Sequence, residues 1–182
     1  MPHWEDSEII KGFRVQGKQE KAFNELVLKY QERLYWQIRK IVLDHDDADD
    51  VLQNTMVKVW KSLANFRSES ELYTWLYRIA TNEALSFLKQ KKKKSFAPWM
   101  DVEEQMADRL EADPWFEGDE IQLKLQEAIL KLPDKQRVVF NMKYFDQVKY
   151  EDMSKILGTS VGALKASYHH AVKKIESMLK DD

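Results

Sequence analysis

The chain contains no cysteine, which excludes disulfides, thiolate metal sites and cysteine nucleophiles, and fits a reducing compartment. Glycine and proline are scarce, at 5 and 4 residues. So few breaks disfavour a many-turned β fold and favour long helices. No apolar run approaches the ~20 residues needed to cross a bilayer. The polar, acidic start from Met1 to Glu8 lacks the basic-then-apolar order of a signal peptide. These absences predict a cytoplasmic protein with no membrane insertion. Histidine is also rare, and His3, His45, His169 and His170 lie in unrelated segments or side by side. Adjacent helical residues point about 100° apart, so His169 and His170 cannot form the i, i+4 pair of a helical metal site. No glycine-rich phosphate loop is present, and the acidic cluster Asp44 to Asp50 lacks the spacing and glycine of a calcium loop. The reading is of no enzyme, no cofactor and no metal.

What is present is enough for a packed core: 43% hydrophobic residues, 12% of all residues being aromatic, which argues against wholesale disorder. A length of 182 residues allows one domain or two small ones. The net charge of −2 hides an uneven distribution. Residues 1–94 carry 17 basic and 14 acidic side chains, a net +3. Residues 95–120 carry one arginine, Arg109, and nine acids, a net −8. Residues 121–182 carry 11 basic and eight acidic side chains, again +3. Two mildly basic blocks flank one acidic segment.

The predicted fold is all-α: two small helical domains, 1–94 and 121–182, joined by an acidic linker, 95–120, with a helix-turn-helix in the second. Phe23, Leu26, Val27, Tyr30, Leu34, Ile38 and Val42 follow the spacing of an amphipathic helix. A second helix is expected to start among Asp44 to Asp50, where carboxylates suit a helix N-terminus. Its predicted inward stripe is Ala48, Leu52, Met56, Val59 and Leu63. After a polar loop from Asn65 to Ser70, a third long helix should end in the basic run Lys89 to Lys94. Its inward face is read as Leu72, Leu76, Ile79, Ala80 and Phe87; Glu71, Thr74, Arg78, Asn82, Leu85 and Lys89 are expected outside, with Trp75 at the edge. Residues 95–120 lose this periodicity and contain Pro98, Pro114 and Gly118. The pattern resumes at Ile121, breaks at Pro133, and predicts helices from about Asp134 to Tyr144, Tyr150 to Leu157, and from Ser160 onward.

The stretch from Tyr150 to Ile175 carries the most specific local pattern. A short helix should stop at Gly158, a good left-handed cap, and Ser160 is a natural N-cap for its successor. Helix, glycine-containing turn and second helix is the helix-turn-helix arrangement. On a helical wheel Val161, Leu164, Tyr168, Ala171 and Ile175 share one side. Gly162, Lys165, Ala166, His169, His170 and Lys173 lie opposite. Small residues near the start of such a helix allow close entry into a major groove, and lysines neutralise phosphates or reach guanine edges. A solvated helix with ordinary surface lysines is the plainer alternative for that face.

The pattern DDADDVLQNTMVKVWKSLANFRSESELYTWLYRIATNEALSFLKQKKKK, Asp46 to Lys94, resembles the second domain of bacterial RNA polymerase sigma factors of the extracytoplasmic-function (ECF) type. LPDKQRVVFNMKYF, Leu132 to Phe145, with the helix-turn-helix after it, is similar to their fourth domain. The resemblance implies promoter-specific transcription initiation, with polymerase core, promoter DNA and an anti-sigma protein as partners. Asp50, Gln53, Asn54, Val57 and Trp60 would dock on the clamp helices of the largest polymerase subunit, and the fourth domain on the flap of the second-largest. An exposed valine and tryptophan beside polar groups also suit a partner surface on physical grounds, although Trp60 could instead complete the core. Phe66, Arg67, Ser68, Glu69, Ser70 and Glu71 would form a loop that captures a flipped base of the minus-ten element. Tyr73, Trp75, Arg78, Asn82 and Lys89 would read and open that element, combining stacking with backbone contacts. Ser160, Gly162, Lys165, Ala166, Ser167, His169, His170 and Lys173 would meet the minus-thirty-five element. Thr81, Ser86, Ser167 and His170 depart from the family's usual Arg, Asp, Arg and Arg, Lys149 replaces a hydroxyl cap, and Glu83 falls on an otherwise inward face.

Opening about a dozen base pairs at roughly 1.4 kcal/mol of stacking per step costs on the order of 15 kcal/mol. A few stacked bases at ~1–3 kcal/mol each cannot offset that, so the work must be shared with a larger machine. The acidic segment is either a mimic of nucleic-acid charge in the polymerase channel or a simple tether. A stand-alone helix-turn-helix regulator is the rival reading, but it leaves the aromatic and basic pattern before residue 94 unexplained.

Overall fold

The computed structural model describes residues 4–94 and 119–181, and among these every regular element is helical. The helices are α1 (Asp6–Phe13), α2 (Gln19–Val42), α3 (His45–Ser62), α4 (Leu72–Lys94), α5 (Glu120–Leu130), α6 (Asp134–Tyr144), α7 (Tyr150–Leu157) and α8 (Val161–Lys180), with a 3₁₀ turn at Leu63–Asn65. The chain divides into two compact units, Met1–Ala84 and Leu85–Asp182. That division falls inside α4, ten residues before the boundary drawn from the periodicity. Most of the expected linker lies outside the described residues. Its last two positions belong to α5, where Asp119 caps the helix by accepting the Gln122 N–H at 2.9 Å and Glu120 opens it.

In the first unit α2 is the central helix, packed against α1 and α3. Its buried stripe of Leu26, Tyr30, Leu34, Ile38 and Val42 follows the predicted spacing. Asp44 caps α3 by accepting the Asp47 N–H at 3.0 Å, as a carboxylate at a helix start should. The buried face of α3 is Ala48, Val51, Thr55 and Val59. It is rotated from the expected stripe, leaving Leu52 and Met56 half-buried. Thr55 is tolerated inside because its hydroxyl donates to the Val51 carbonyl at 2.7 Å. On α4 the buried positions include Leu72, Leu76, Tyr77, Ala80 and Ala84. Thr74, expected outside, is also buried.

Polar atoms inside this unit are mostly paired. The Gln37 amide donates to the Tyr77 carbonyl at 3.1 Å and to the Thr81 hydroxyl, which in turn donates back to the Tyr77 carbonyl at 2.8 Å. Helix α1 was not expected. It is short, and its start is held by Asp6, which accepts from the Tyr30 hydroxyl and the Lys29 ammonium, each at 2.7 Å. Burial, then the Asp6 contact, pushes the Tyr30 phenol above its ordinary range. Gly12 lies so close to α2 that a Cβ there would stand 3.2 Å from Ala22 Cβ and 2.8 Å from the Trp4 ring.

In the second unit α8 is the spine, touched by α5, α6 and α7. Ala128, Ile129, Leu132, Phe140, Ala171 and Ile175 form the core, flanked by Leu125, Tyr168, Val172 and Met178. Phe140 stacks on Tyr168 with ring centroids 5.8 Å apart, joining α6 to α8. Pro133 ends α5 and its carbonyl accepts the Arg137 N–H at 2.9 Å to start α6. Gly158 adopts a left-handed φ of 64° and closes α7, as the sequence predicts.

Candidate interaction surfaces

Helix α3 turns one face to the core and the other outward. Asp50, Gln53, Asn54 and Val57 are exposed, Val57 by 52%. Trp60 is 40% exposed, yet its ring meets Phe13 and Phe23 edge-to-face, each with centroids 5.1 Å apart. Trp60 is therefore packed against the unit from behind and exposed in front. The five residues form one contiguous stripe beside the buried Val51 and Val59.

The loop after the 3₁₀ turn is partly built from the inside. Phe66 is 5% exposed and its ring packs on Trp75 at 5.0 Å. Its side chain is thus an anchor for the loop and not part of the outer face, a correction to its expected role. Arg67, Ser68, Glu69 and Glu71 are exposed, and Ser70 is half-buried. Ser68 adopts a left-handed φ of 57°, an uncommon conformation for a residue with a side chain. Such strain is held only where its surroundings enforce it.

Along α4, Arg78, Asn82 and Lys89 are exposed at spacings of four and seven residues, which places them on one face. Trp75 is half-buried at the head of that face. Tyr73 is half-buried. Its ring stacks on Tyr30 at 6.1 Å, meets Tyr77 at 5.4 Å, and carries the Arg33 guanidinium 4.0 Å from its centroid. Those contacts hold Tyr73 against α2. Glu83, unexplained by the helical wheel, forms an ion pair with Lys58 of α3. That pair ties the two helices that carry the stripe and the basic face.

In the second unit, Ser160 caps α8 by accepting the Ala163 N–H at 3.2 Å. Gly162, Lys165, Ala166, His169, His170 and Lys173 are exposed and Ser167 is half-buried, so the predicted two-sided wheel is realised. A Cβ at Gly162 would meet nothing within 4 Å among the described residues. Lys165 and Lys143 both approach the Tyr150 ring, at 5.7 and 4.5 Å from its centroid. Among the described residues no three His, Cys, Asp or Glu side chains are grouped to hold a metal ion, and no helix is long and apolar enough to cross a membrane.

Two family models match these surfaces: Sigma-70 region 2 over residues 26–94 and Sigma-70 region 4 over residues 122–175. The chain is 31% identical to the RNA polymerase sigma-H factor of Pseudomonas aeruginosa, over 97% of this chain and 94% of that one. It is 29% identical to the ECF RNA polymerase sigma-E factor of Haemophilus influenzae, over 92% of each. The chain belongs to the ECF-type RNA polymerase sigma factors. Two solved structures share its fold with a TM-score of 0.68 each: the sigma factor RpoE in complex with the anti-sigma factor NepR from Bartonella quintana, and CnrH in complex with the cytosolic domain of CnrY. They are 23% and 22% identical and cover 89% and 98% of this sigma factor, which covers 99% of each. The α3 stripe, the loop and the α4 face all lie in the region 2 match, and α8 carries most of the exposed face in the region 4 match. Helix α1 precedes both.

Proposed function

We propose that this sigma factor recognises its promoters through two separate surfaces and contributes directly to strand opening. As a family member it acts in promoter-specific transcription initiation through RNA polymerase. In the finer reading, Asp50, Gln53, Asn54, Val57 and Trp60 dock on the polymerase clamp helices, and the region 4 unit docks on the flap. The observation that carries the minus-ten assignment is the single exposed face of α4, where Arg78, Asn82 and Lys89 align below the half-buried Trp75. Cations for the backbone beside an aromatic ring suit a separated strand better than a duplex. The exposed loop residues Arg67, Ser68, Glu69 and Glu71, with the half-buried Ser70, would receive an unstacked base. On α8 the small residues Gly162 and Ala166, flanked by Lys165 and Lys173, suit major-groove entry at the minus-thirty-five element. Residues 95–120 serve as the connection between the domains at 1–94 and 121–182. An anti-sigma protein is the expected regulator, since RpoE and CnrH, which share this fold, are in complex with NepR and CnrY respectively.

The test compares promoter opening with duplex capture. In holoenzyme, Trp75→Ala and Arg78→Ala should reduce permanganate reactivity of the promoter bubble by roughly tenfold, taking ~1–3 kcal/mol per lost stacked base. Closed-complex binding should change little. Equal losses in both assays would remove the melting role.

A further inference from the structure

We propose that Arg14, just after α1, is a positioning residue that braces the base-capturing loop, and that α1 ties this loop to the polymerase-docking stripe. The proposal rests on the minus-ten reading of that loop. Residues 13 and 14 lie before the region 2 match, which begins at residue 26, and they touch both surfaces. The Phe13 ring sets Trp60 edge-to-face at 5.1 Å. The Arg14 guanidinium donates through Nη2 to the Phe66 carbonyl, 52 residues away in sequence.

Helix α1 is held firmly enough to act as a strut. Asp6 is bonded to Lys29 and Tyr30 at one end, and Gly12 allows close approach to Ala22 at the other. Phe66 is then fixed from two sides, its carbonyl by Arg14 and its ring by Trp75. Two residues later Ser68 takes its left-handed φ of 57°. A loop holding a strained residue needs rigid attachment at its base. Arg14 supplies a charged donor there, the stronger kind of hydrogen bond to a backbone carbonyl. The same short segment supports Trp60, so a ligand that fixes Trp60 also steadies the support of the loop.

The experiment uses holoenzyme assembled from the full chain and polymerase core. A fluorescent single strand carrying the non-template minus-ten sequence of a promoter it transcribes is titrated by anisotropy. Affinity for core, and the thermal midpoint of the free protein, are measured alongside. Arg14→Ala should weaken strand binding roughly three- to tenfold with core affinity and midpoint unchanged, and Arg14→Lys, which keeps a cationic donor, should recover most of it. The paired loop variant Arg67→Ala with Glu69→Ala tests the minus-ten reading separately. If that loop variant loses strand affinity while Arg14→Ala does not, the brace is wrong and the reading stands. If neither changes strand affinity, both are wrong. Core affinity or midpoint falling in the same proportion as strand binding would reduce Arg14 to a general structural contact and overturn the brace. So would a failure of Arg14→Lys to recover any binding.

Discussion

At the scale of single residues, one departure from the family pattern is informative because the structure gives it partners. Thr81, where the resemblance leads one to expect arginine, is fully buried with its hydroxyl shared between Gln37 and the Tyr77 carbonyl. Thr81→Val should cost about 1–2 kcal/mol by taking a partner from the Gln37 amide. Thr81→Arg should cost more, because a guanidinium would replace a hydroxyl at a site with no access to water. Urea unfolding of both variants checks this, and an arginine variant as stable as the parent would show that the site is open. Glu83 was opaque to a helical wheel for a clear reason: its partner, Lys58, lies 25 residues earlier on another helix. The packing of Tyr73 and Phe66 was hidden in the same way. Their residue types suit stacking on bases, but the rings that they meet, Tyr30 and Trp75, are chosen by tertiary packing.

At the scale of elements, legibility follows how local the signal is. Pro133, Gly158 and Ser160 mark the ends of α5, α7 and α8 through their own backbone chemistry, and those helices begin and end close to where the sequence predicts. Helix α1 has eight residues and few apolar ones, and its anchors Tyr30, Lys29 and Ala22 all lie on α2. Its local signal is confined to the acidic first turn, where the Glu8 carboxylate accepts the Glu5 N–H at 2.8 Å, and eight residues are too few to show a helical period. The buried face of α3 was misjudged by one position because Val51 and Thr55, not Leu52 and Met56, meet the core. Helix α8 was the clearest case, with its buried and open sides separated as drawn. If Lys165 and Lys173 both contact phosphates, their double alanine variant should lower the salt slope of promoter affinity by about 1.8, taking roughly 0.9 per contact. If Lys165 instead reads a guanine edge, its single variant should relax preference at one base pair by ~1–3 kcal/mol. Holoenzyme titrations over a salt series on matched and mismatched duplexes separate the two. An unchanged slope and an unchanged preference would mean that this side of α8 does not meet DNA.

At the scale of the whole molecule, a net charge of −2 coexists with two blocks of +3 and an intervening −8. A protein with that balance gains little from non-specific attraction to DNA, which needs many phosphate contacts to hold at physiological salt. Strand opening, on the order of 15 kcal/mol for about a dozen pairs, also exceeds what its few aromatic and basic side chains can supply. Docking on polymerase must therefore come before opening, and the two defects should separate by mass action. Val57→Glu with Gln53→Ala alters only exposed positions of α3, so helicity should remain at the parent level while affinity for core falls by at least tenfold, about 1.4 kcal/mol. Excess core should then restore promoter opening to the parent level, because every assembled complex still carries an intact loop and α4. The Trp75→Ala and Arg78→Ala defects should persist at saturating core, since they lie after assembly. Opening measured against core concentration for all three variants gives the comparison. If the α3 double variant stays defective at saturation, its stripe acts in opening as well as in docking; if its core affinity is unchanged, the stripe is not the docking surface.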